Sequence, residues 1–336
     1  MIKDIRRQIK ETIRRHHLIK AGDLVLAGVS GGADSTVMAH LLAGLRQDLG
    51  YRLHIIHVNH RLRKSADIDE RFVKKLCQSL RLPCTAVTLD LKKSLSKGGS
   101  LEEVAREARY RAFFKTAKKI RAAAVALAHH EDDLAETVLM RILRGSGLLG
   151  LQAILPKREI GGHTVIRPMF EVTRRDVEDF LTKHHLRFRN DPTNRKTCFF
   201  RNKIRLHLLP LLEKEYQPNI RKILANLADV SSCDYDFLIA RAQKIFKTSA
   251  TVMGQKSVRV PLPLLLRLHP SLGRIVLRLS LQELQGNTRT FTLTHLREIE
   301  DLIKNRPPGA VVHLPQRIAV RKGPATIDFL KDSRLG

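Results

Sequence analysis

Two adjacent glycines lie between a serine and an aspartate in the stretch GVSGGADS, residues 28–35. The stretch follows an apolar run and precedes a helical pattern, so backbone N–H groups at a helix N-terminus can meet an anion without blocking side chains. A tight turn whose glycines only accept positive φ is the alternative. The loop is not a Walker A motif, because it lacks the G-x-x-x-x-G-K-[ST] spacing and its lysine. A phosphate-binding loop of another kind is therefore predicted.

Carboxylates and histidines form a second cluster in AHHEDDLAET, residues 128–137. The hard carboxylates of Asp132, Asp133 and Glu136 suit Mg²⁺ better than Zn²⁺, and HHEDD is not the zinc motif H-E-x-x-H. A third polar segment, HVNHRLR at residues 57–63, contains His57 and His60, which we expect to be structural. The sequence therefore predicts a Mg²⁺ site rather than a transition-metal site.

Alternating patterns between Asp23 and about Phe170 predict the elements that position these clusters. Four apolar runs are typical of strands buried on both faces: residues 23–29, 53–58, 84–91 and 122–128. Three stretches between them have apolar residues at helical spacing: residues 34–49, 67–80 and 101–120. This order predicts an α/β fold with a doubly wound parallel sheet. Such sheets bind ligands beyond the strand C-termini, so the polar clusters should meet at one edge.

The segment GSGLLG, residues 145–150, fits the dinucleotide pattern G-x-G-x-x-G. It follows a helical pattern instead of a strand, so it lacks the context of a nucleotide fingerprint. We predict a helix end and a turn there.

A smaller, mainly helical C-terminal domain that ends in short strands is predicted after the α/β domain. Residues 219–246 have a helical pattern, and residues 309–330 are typical of short strands with turns near Pro315 and Gly323. We expect domains at residues 1–215 and 216–336.

The charge balance indicates a polyanionic partner. Lys and Arg number 61 against 33 Asp and Glu, which gives a formal net charge of +28. Nucleic acid is favoured over a membrane, because no basic amphipathic helix carries aromatic anchors and no apolar run approaches the roughly 20 residues of a membrane span. The four cysteines form no C-x-x-C pair, so free thiols are expected. These features predict a cytoplasmic protein without membrane association.

The string SGGADS at the end of a first parallel strand resembles the PP-loop of N-type ATP pyrophosphatases, which cleave ATP to AMP and pyrophosphate while adenylating a substrate. Other segments resemble, in order, the motifs of the tRNA(Ile)-lysidine synthetase family: HVNHRLR, LEEVAREARYRAF, AHHEDDLAET, RILRGSGLLGL, RPMFEVTRRDVEDFL and DPTNRKTCFFRNKIRLHLLPLL. The resemblance is strong over residues 23–212 and weak in the last third. Arg61, Ala128 and Leu134 depart from the family pattern without removing a carboxylate or the loop.

The resemblance implies that ATP adenylates the C2 oxygen of the wobble cytidine in a tRNA(Ile) with a CAU anticodon. The amine of free L-lysine then displaces AMP. Asp34 and Asp133 are the expected catalytic carboxylates and Mg²⁺ ligands. The expected ATP contacts are Ser30, Gly31, Gly32, Ala33, Asp34 and Ser35. The expected substrate or tRNA contacts are Arg106, Arg109, His130, Arg141, Asp191, Asn194, Arg201, Asn202 and Arg205.

Several alternatives stay open at this stage. Arg106 and Arg109 could instead form salt bridges with glutamates of their own helix. Phe199 and Phe200 could stack on an extruded base or simply pack. The function could be that of a tRNA cytidine-thiolating PP-loop enzyme, which the absence of a C-x-x-C pair disfavours. A non-catalytic nucleotide- or RNA-binding protein is disfavoured because mere binding would not need carboxylates facing the phosphates.

Overall fold

The computed structural model describes residues 4–59, 66–89, 101–190, 200–254, 256–286 and 290–331. The chain forms two compact units, Met1–Val230 and Ser231–Gly336. None of the helices in the described part of the chain is both long enough and apolar enough to span a membrane.

The first unit contains most of the elements. Its helices and strands are, in chain order, α1 (Ile5–Arg15), β1 (Leu24–Gly28), α2 (Ala33–Leu49), β2 (Arg52–Asn59), α3 (Ala66–Ser79), β3 (Cys84–Thr88), α4 (Leu101–Ile120), β4 (Ala124–Ala126), α5 (Glu131–Leu143), α6 (Leu148–Leu151), β5 (Lys157–Ile160), β6 (His163–Ile166), α7 (Arg174–Lys183), α8 (Phe200–Lys203), a π-helical turn (Ile204–Leu208), α9 (Leu209–Glu215) and the first turns of α10 (Ile220–Ser249), a helix that continues into the second unit.

Six strands form one sheet in the order β3-β2-β1-β4-β6-β5. All neighbours pair in parallel except β5, which forms an antiparallel hairpin with β6. Apolar clusters cover both faces, with α1, α2 and α7 contributing to one and α4 to the other. The predicted doubly wound parallel fold is confirmed. The β5–β6 hairpin was not predicted from the sequence, because its exposed strand β5 has only one apolar residue.

The division between the units lies further along the chain than the sequence suggested. The boundary was expected after residue 215, whereas the compact units meet between Val230 and Ser231, inside α10. Leu224, Ala225 and Ala228 of α10 belong to the same apolar cluster as Leu134 of α5. The first turns of α10 therefore belong to the first unit, because burying these side chains stabilises them there.

The second unit is built on a five-stranded antiparallel sheet in the order β7-β8-β11-β10-β9. Its elements after α10 are β7 (Thr251–Met253), β8 (Ser257–Pro261), α11 (Leu262–Arg267), α12 (Pro270–Gln285), α13 (Leu293–Asn305), β9 (Val311–Leu314), β10 (Ile318–Lys322) and β11 (Thr326–Lys331). The last three strands occupy the predicted segment, with the turns near Pro315 and Gly323. β7 and β8 complete the sheet and were not predicted.

The parallel strands of the first unit end at one edge of the sheet. Gly28 ends β1, Asn59 ends β2, Ala126 ends β4 and Ile166 ends β6. The glycine loop follows β1, and the histidine and carboxylate cluster follows β4. Both polar clusters therefore lie at this edge of the sheet, as predicted. We call it the C-terminal edge.

Candidate active site

Hydrogen bonds among its own residues fix the glycine loop between β1 and α2. The Ser35 hydroxyl accepts from the Ser30 N–H at 3.1 Å and donates to the Gly32 carbonyl at 3.1 Å. The Ser30 hydroxyl accepts from the Gly32 N–H at 3.2 Å. α2 begins at Ala33, and no side chain caps its N-terminus. The first-turn N–H groups are thus available to an anion, while buried Ser35 shapes the loop from beneath.

Gly31 has a conformation that only glycine adopts without strain. Its φ is +91°, and a Cβ atom there would lie 3.3 Å from Cδ1 of Phe72 and 3.5 Å from Cγ2 of Val73. Its carbonyl accepts from the N–H of Arg189 at 2.8 Å. The loop is therefore packed between α3 and the chain that follows α7.

Asp34 occupies the first turn of α2 and is one third exposed, with a side-chain exposure of 33%. Its Oδ1 accepts from Nη1 of Arg174 at 2.6 Å and lies 3.7 Å from Nε2 of His130. Sequence reasoning missed Arg174. The sequence did contain a signal for the start of this helix, because Thr173 and Asp176 form a capping box that places Arg174 at the first position of α7.

His130 is buried among three carboxylates at the N-terminus of α5. Its Nε2 lies 3.7 Å from Asp34 Oδ1 and 3.6 Å from Asp133 Oδ2, and its Nδ1 lies 3.6 Å from Asp132 Oδ2. Burial opposes protonation, but Asp133, Asp132 and Asp34 together outweigh it and raise the pKa of His130. His130 was expected to contact substrate or tRNA; it lies within the carboxylate cluster and is 3% exposed.

Asp133 is held by a backbone group and by two arginines. Its Oδ2 accepts from the His130 N–H at 3.1 Å, and its Oδ1 accepts from Arg201 Nη2 at 2.6 Å and lies 3.5 Å from Arg205 Nη2. Burial would raise the pKa of Asp133, but the positive charges of His130 and Arg201 dominate and lower it to about 2. Asp133 is therefore ionised at neutral pH.

Glu136 of α5 is buried, with only 1% of its surface exposed. It accepts from Arg201 Nε at 2.7 Å and from Arg205 Nε at 2.5 Å. Because Arg205 lies in the π-helical turn after α8, this turn is directly beside the carboxylate cluster. Such widened turns are frequent at functional sites. The two arginines expected to contact tRNA thus neutralise Asp133 and Glu136.

Asp132 forms hydrogen bonds with residues of two other helices, α7 and α10. Its Oδ2 accepts from the N–H of Arg174 at 2.6 Å, and its Oδ1 accepts from Nη1 of Arg221 at 3.0 Å. Arg221 also binds Glu213 through both carboxylate oxygens. Asp132 therefore positions α7 and α10 relative to α5.

His129 follows β4 and accepts from Arg167 Nε at its Nδ1, at 3.3 Å. Burial dominates and lowers the pKa of His129 to about 3; Asp133 opposes this effect, and Arg167, Arg201 and Arg106 add to it. His129 is therefore neutral at physiological pH. With Nδ1 as acceptor, its proton is on Nε2.

The remaining predicted substrate contacts are more dispersed. The Arg106 guanidinium lies over the Tyr110 ring, 5.1 Å from its centroid. Arg141 is exposed at the end of α5, where the chain turns at Gly145 as predicted. Arg109 and Asn202 lie on α4 and α8. The other expected residues, Asp191, Asn194 and Phe199, lie outside the described residues.

Phe200 is exposed, and the Arg144 guanidinium lies 5.3 Å from the centroid of its ring. His57 donates from its Nδ1–H to the Val29 carbonyl oxygen, at 2.9 Å. A buried position and a backbone partner agree with the structural role expected of His57. His60 lies outside the described residues.

The donor set near the loop fits Mg²⁺ only in combination with phosphate oxygens. In the described ranges, no three or more His, Cys, Asp or Glu side chains are grouped so as to hold a metal ion. Mg²⁺ commonly needs just one or two carboxylates, with water and substrate phosphates completing its octahedron. Asp34 and Asp133, which both face His130, are carboxylates of this kind.

Comparison with known proteins agrees with this geometry. A family model described as a PP-loop domain matches residues 1–212, and a second, described as a TilS substrate binding domain, matches residues 261–323. A tRNA(Ile)-lysidine synthase of Clostridioides difficile is 32% identical over 315 residues, covering 93% of this chain and 68% of the relative. One of Caldanaerobacter subterraneus is 32% identical over 317 residues, covering 94% of this chain and 67% of the relative.

A solved structure supports the fold alone. The U34-tRNA thiolase NcsA from Methanococcus maripaludis, with its [4Fe-4S] cluster, is 20% identical and has a TM-score of 0.57, covering 68% of this chain and 77% of that one. The described cysteines of this chain, Cys77, Cys84 and Cys233, are free. The loop geometry, the two matched family models and the identity to these two relatives agree. The chain belongs to the tRNA(Ile)-lysidine synthase family.

Proposed function

We propose that this protein joins L-lysine to C2 of the wobble cytidine in a tRNA(Ile) with a CAU anticodon, at the expense of ATP. The observation that carries the proposal is the meeting of Asp34 and Asp133 at His130, beside the open N-terminus of α2. The loop binds the phosphate groups, and the two carboxylates supply negatively charged oxygen ligands for a Mg²⁺ ion that accompanies them. The modified tRNA reads the codon AUA instead of the codon AUG.

The reaction has two steps whose atoms balance. The C2 oxygen of cytidine attacks the α-phosphorus of ATP, and pyrophosphate leaves. The lysine amine then attacks C2 and loses a proton, and AMP leaves with the former C2 oxygen. Each step releases a leaving group that carries phosphate, first pyrophosphate and then AMP, and the negative charge of that group must be stabilised.

The described residues supply this stabilisation. The N–H groups at the start of α2 bind the leaving pyrophosphate, while Ser30 and Ser35 hold the loop in shape. Asp34 and Asp133 would hold Mg²⁺, which neutralises phosphate charge and polarises the α-phosphoryl group when bound. Arg201 and Arg205 balance the charge of Asp133 and Glu136, so these acids do not repel ATP.

The positive charge of the chain serves to bind tRNA. Arg106, Arg109, Arg141 and Asn202 are candidate contacts from their residue types; the first two lie on α4, Arg141 lies in the last turn of α5 and Asn202 lies on α8. Asp191 and Asn194 remain candidates from the sequence alone. The first unit carries the adenylation chemistry and the second contributes to tRNA binding, in agreement with the description of the family model that matches residues 261–323. A tRNA substrate implies action in the cytoplasm.

The test is transfer of labelled L-lysine to a CAU-anticodon tRNA(Ile) transcript in the presence of ATP and Mg²⁺. We expect label on the RNA together with equal amounts of AMP and pyrophosphate. A transcript with uridine at the wobble position is the matched control and should stay unlabelled. Sulfur transfer in place of lysine would support a thiolating enzyme. Tight ATP and RNA binding without pyrophosphate release would indicate a non-catalytic protein.

A further inference from the structure

A basic pocket lies beside the C-terminal turn of α1, and its lining includes none of the residues of the candidate active site. Its cavity volume is about 700 Å³, and its lining consists of Ile13, Arg14, His17, Ile19, Lys20 and Lys157. Four of these side chains carry nitrogen groups and two are apolar. A pocket of this composition suits a ligand that combines negative charge with a flat or apolar part.

The cations of this pocket lack acidic partners. Among the described residues, no carboxylate pairs with Arg14, Lys20 or Lys157. Nearby acids are engaged elsewhere: Glu11 binds Arg7 at 2.9 Å, and Glu171 binds Arg15 at 2.7 Å. Asp23 accepts from the backbone N–H of Lys20 rather than from its ammonium group. The pocket therefore has an excess of positive charge.

The two walls of the pocket are fixed to each other. Lys157 Nζ donates to the carbonyl of His17 at 3.2 Å, and His17 has the uncommon φ of 47°. Ile13 is buried in the core, and Ile19 packs against the same cluster. Basic side chains in the last turn of α1 also offset its helix dipole. That explanation covers Arg14 but not Lys20 or Lys157, which lie outside the helix.

One wall of the pocket reaches the C-terminal edge of the sheet through Lys157, whereas Lys20 lies in the turn that precedes β1. Lys157 is opposite Ile166 in the β5–β6 pair, and Ile166 is opposite Ala126, the last residue of β4. From the other wall, Arg15 and Thr12 of α1 bind Glu171. Glu171 precedes Arg174, which binds Asp34. An RNA whose target base reaches the glycine loop therefore passes this edge.

We propose that the pocket binds the phosphodiester backbone of the RNA substrate, with a base or ribose lying against Ile19. The proposal rests on the proposed function, since that function makes RNA the substrate. Arg14, Lys20 and Lys157 contact phosphate oxygens. The pocket positions the RNA and takes no part in the chemistry.

The test measures tRNA binding as a function of salt for the variant Arg14→Glu/Lys20→Glu, which leaves the Lys157 contact intact. The matched control is Lys118→Glu/Lys119→Glu, because these lysines also lie in the last turn of a helix, α4, at the opposite edge where β4 begins. We expect the pocket variant to bind tRNA at least about tenfold more weakly at low salt. The slope of log K against log salt should fall by about 1.4 to 1.8, as for two lost phosphate contacts.

The outcomes separate the alternatives. Equal losses in the pocket variant and the control would overturn the proposal, since they would reflect net charge alone. Weaker ATP binding with unchanged tRNA binding would also overturn it, because the pocket would then hold a free nucleotide. If the wild type transfers no lysine while the pocket variant alone loses tRNA affinity, the proposed function fails and the pocket proposal stands. A circular dichroism melt confirms that each variant is folded.

Discussion

Arg201 binds Asp133 directly, with its Nη2 2.6 Å from the carboxylate Oδ1. The same guanidinium donates through Nε to buried Glu136 at 2.7 Å. A residue assigned to tRNA contact is therefore also the counter-ion of a residue assigned to catalysis. A substitution that removes the charge of Arg201 therefore takes a counter-ion away from Asp133 and Glu136, in addition to any effect on RNA binding.

The pH dependence of stability should reveal this cluster. The pKa of Asp133 is about 2 in the folded protein, against roughly 3.9 for an unfolded aspartate. Because the folded pKa is the lower one, the carboxylate stabilises the fold above about pH 4, and this contribution is lost as the pH falls towards 2. We expect Asp133→Asn to lower the free energy of unfolding by about 2 kcal/mol at pH 6, measured by urea denaturation.

The difference between wild type and Asp133→Asn should shrink below pH 4. The matched control is Asp179→Asn, because Asp179 is an exposed aspartate on α7 and its loss should change stability by less than about 0.5 kcal/mol. A difference for Asp133→Asn that stays constant down to pH 2 would contradict the assigned pKa.

Arg205 allows the RNA contact to be tested with less disturbance. In Arg205→Gln, Glu136 keeps its bond to Arg201, so the protein should fold with a loss of about 1 to 2 kcal/mol. If Arg205 contacts one phosphate, the slope of log K against log salt for tRNA should fall by about 0.7 to 0.9. Filter binding at several salt concentrations measures the slope. An unchanged slope would assign Arg205 to the carboxylate cluster alone.

Asp34 should be required for chemistry and dispensable for RNA binding. We expect Asp34→Asn to reduce pyrophosphate release by about a hundredfold or more, because charge stabilisation at the leaving group is lost. Its tRNA affinity should stay within about twofold, since Asp34 adds no positive charge to the RNA-binding surface. Asp48→Asn, at the opposite end of α2, should release pyrophosphate at the wild-type rate. Normal turnover in Asp34→Asn would remove this residue from the mechanism.

The backbone of Gly31 should be sensitive to a single methyl group. Gly31→Ala forces an L side chain into φ +91° and against Phe72, so we expect a loss of about 1 to 3 kcal/mol and much weaker ATP binding. Gly44→Ala is the matched control, because Gly44 lies within α2 with open space around it. That change should stabilise the protein by up to about 1 kcal/mol. Urea denaturation and ATP titration measure both variants.

The sequence was most informative where local pattern determines structure. The runs at residues 23–29 and 53–58 became β1 and β2, and the helical patterns became α2, α3 and α4 within a residue or so at each end. The reason is that a strand buried on both faces needs a continuous apolar run. β5 was missed because its Lys157, Arg158 and Glu159 are exposed, and an edge strand does not need such a run.

Pairings across the site could not be predicted, because they depend on residues far apart in the sequence. Arg174 and Asp34 are 140 positions apart, and Arg201 and Asp133 are 68 positions apart. The predicted strand order was enough to place Asp34 and Asp133 at the same edge of the sheet. It did not indicate that arginines suggested for RNA contact would neutralise them, since that depends on how α8 and the π-helical turn pack against α5.

The polar composition of β5 also affects self-association. Among the described residues, β5 is the outermost strand on its side of the sheet, and no described strand pairs with its outer backbone groups. Exposed charged side chains on such a strand discourage another chain from adding to the sheet. Because Lys157 also lines the basic pocket, the side chain proposed to bind RNA helps to keep this edge free of aggregation at the high protein concentrations of a cell.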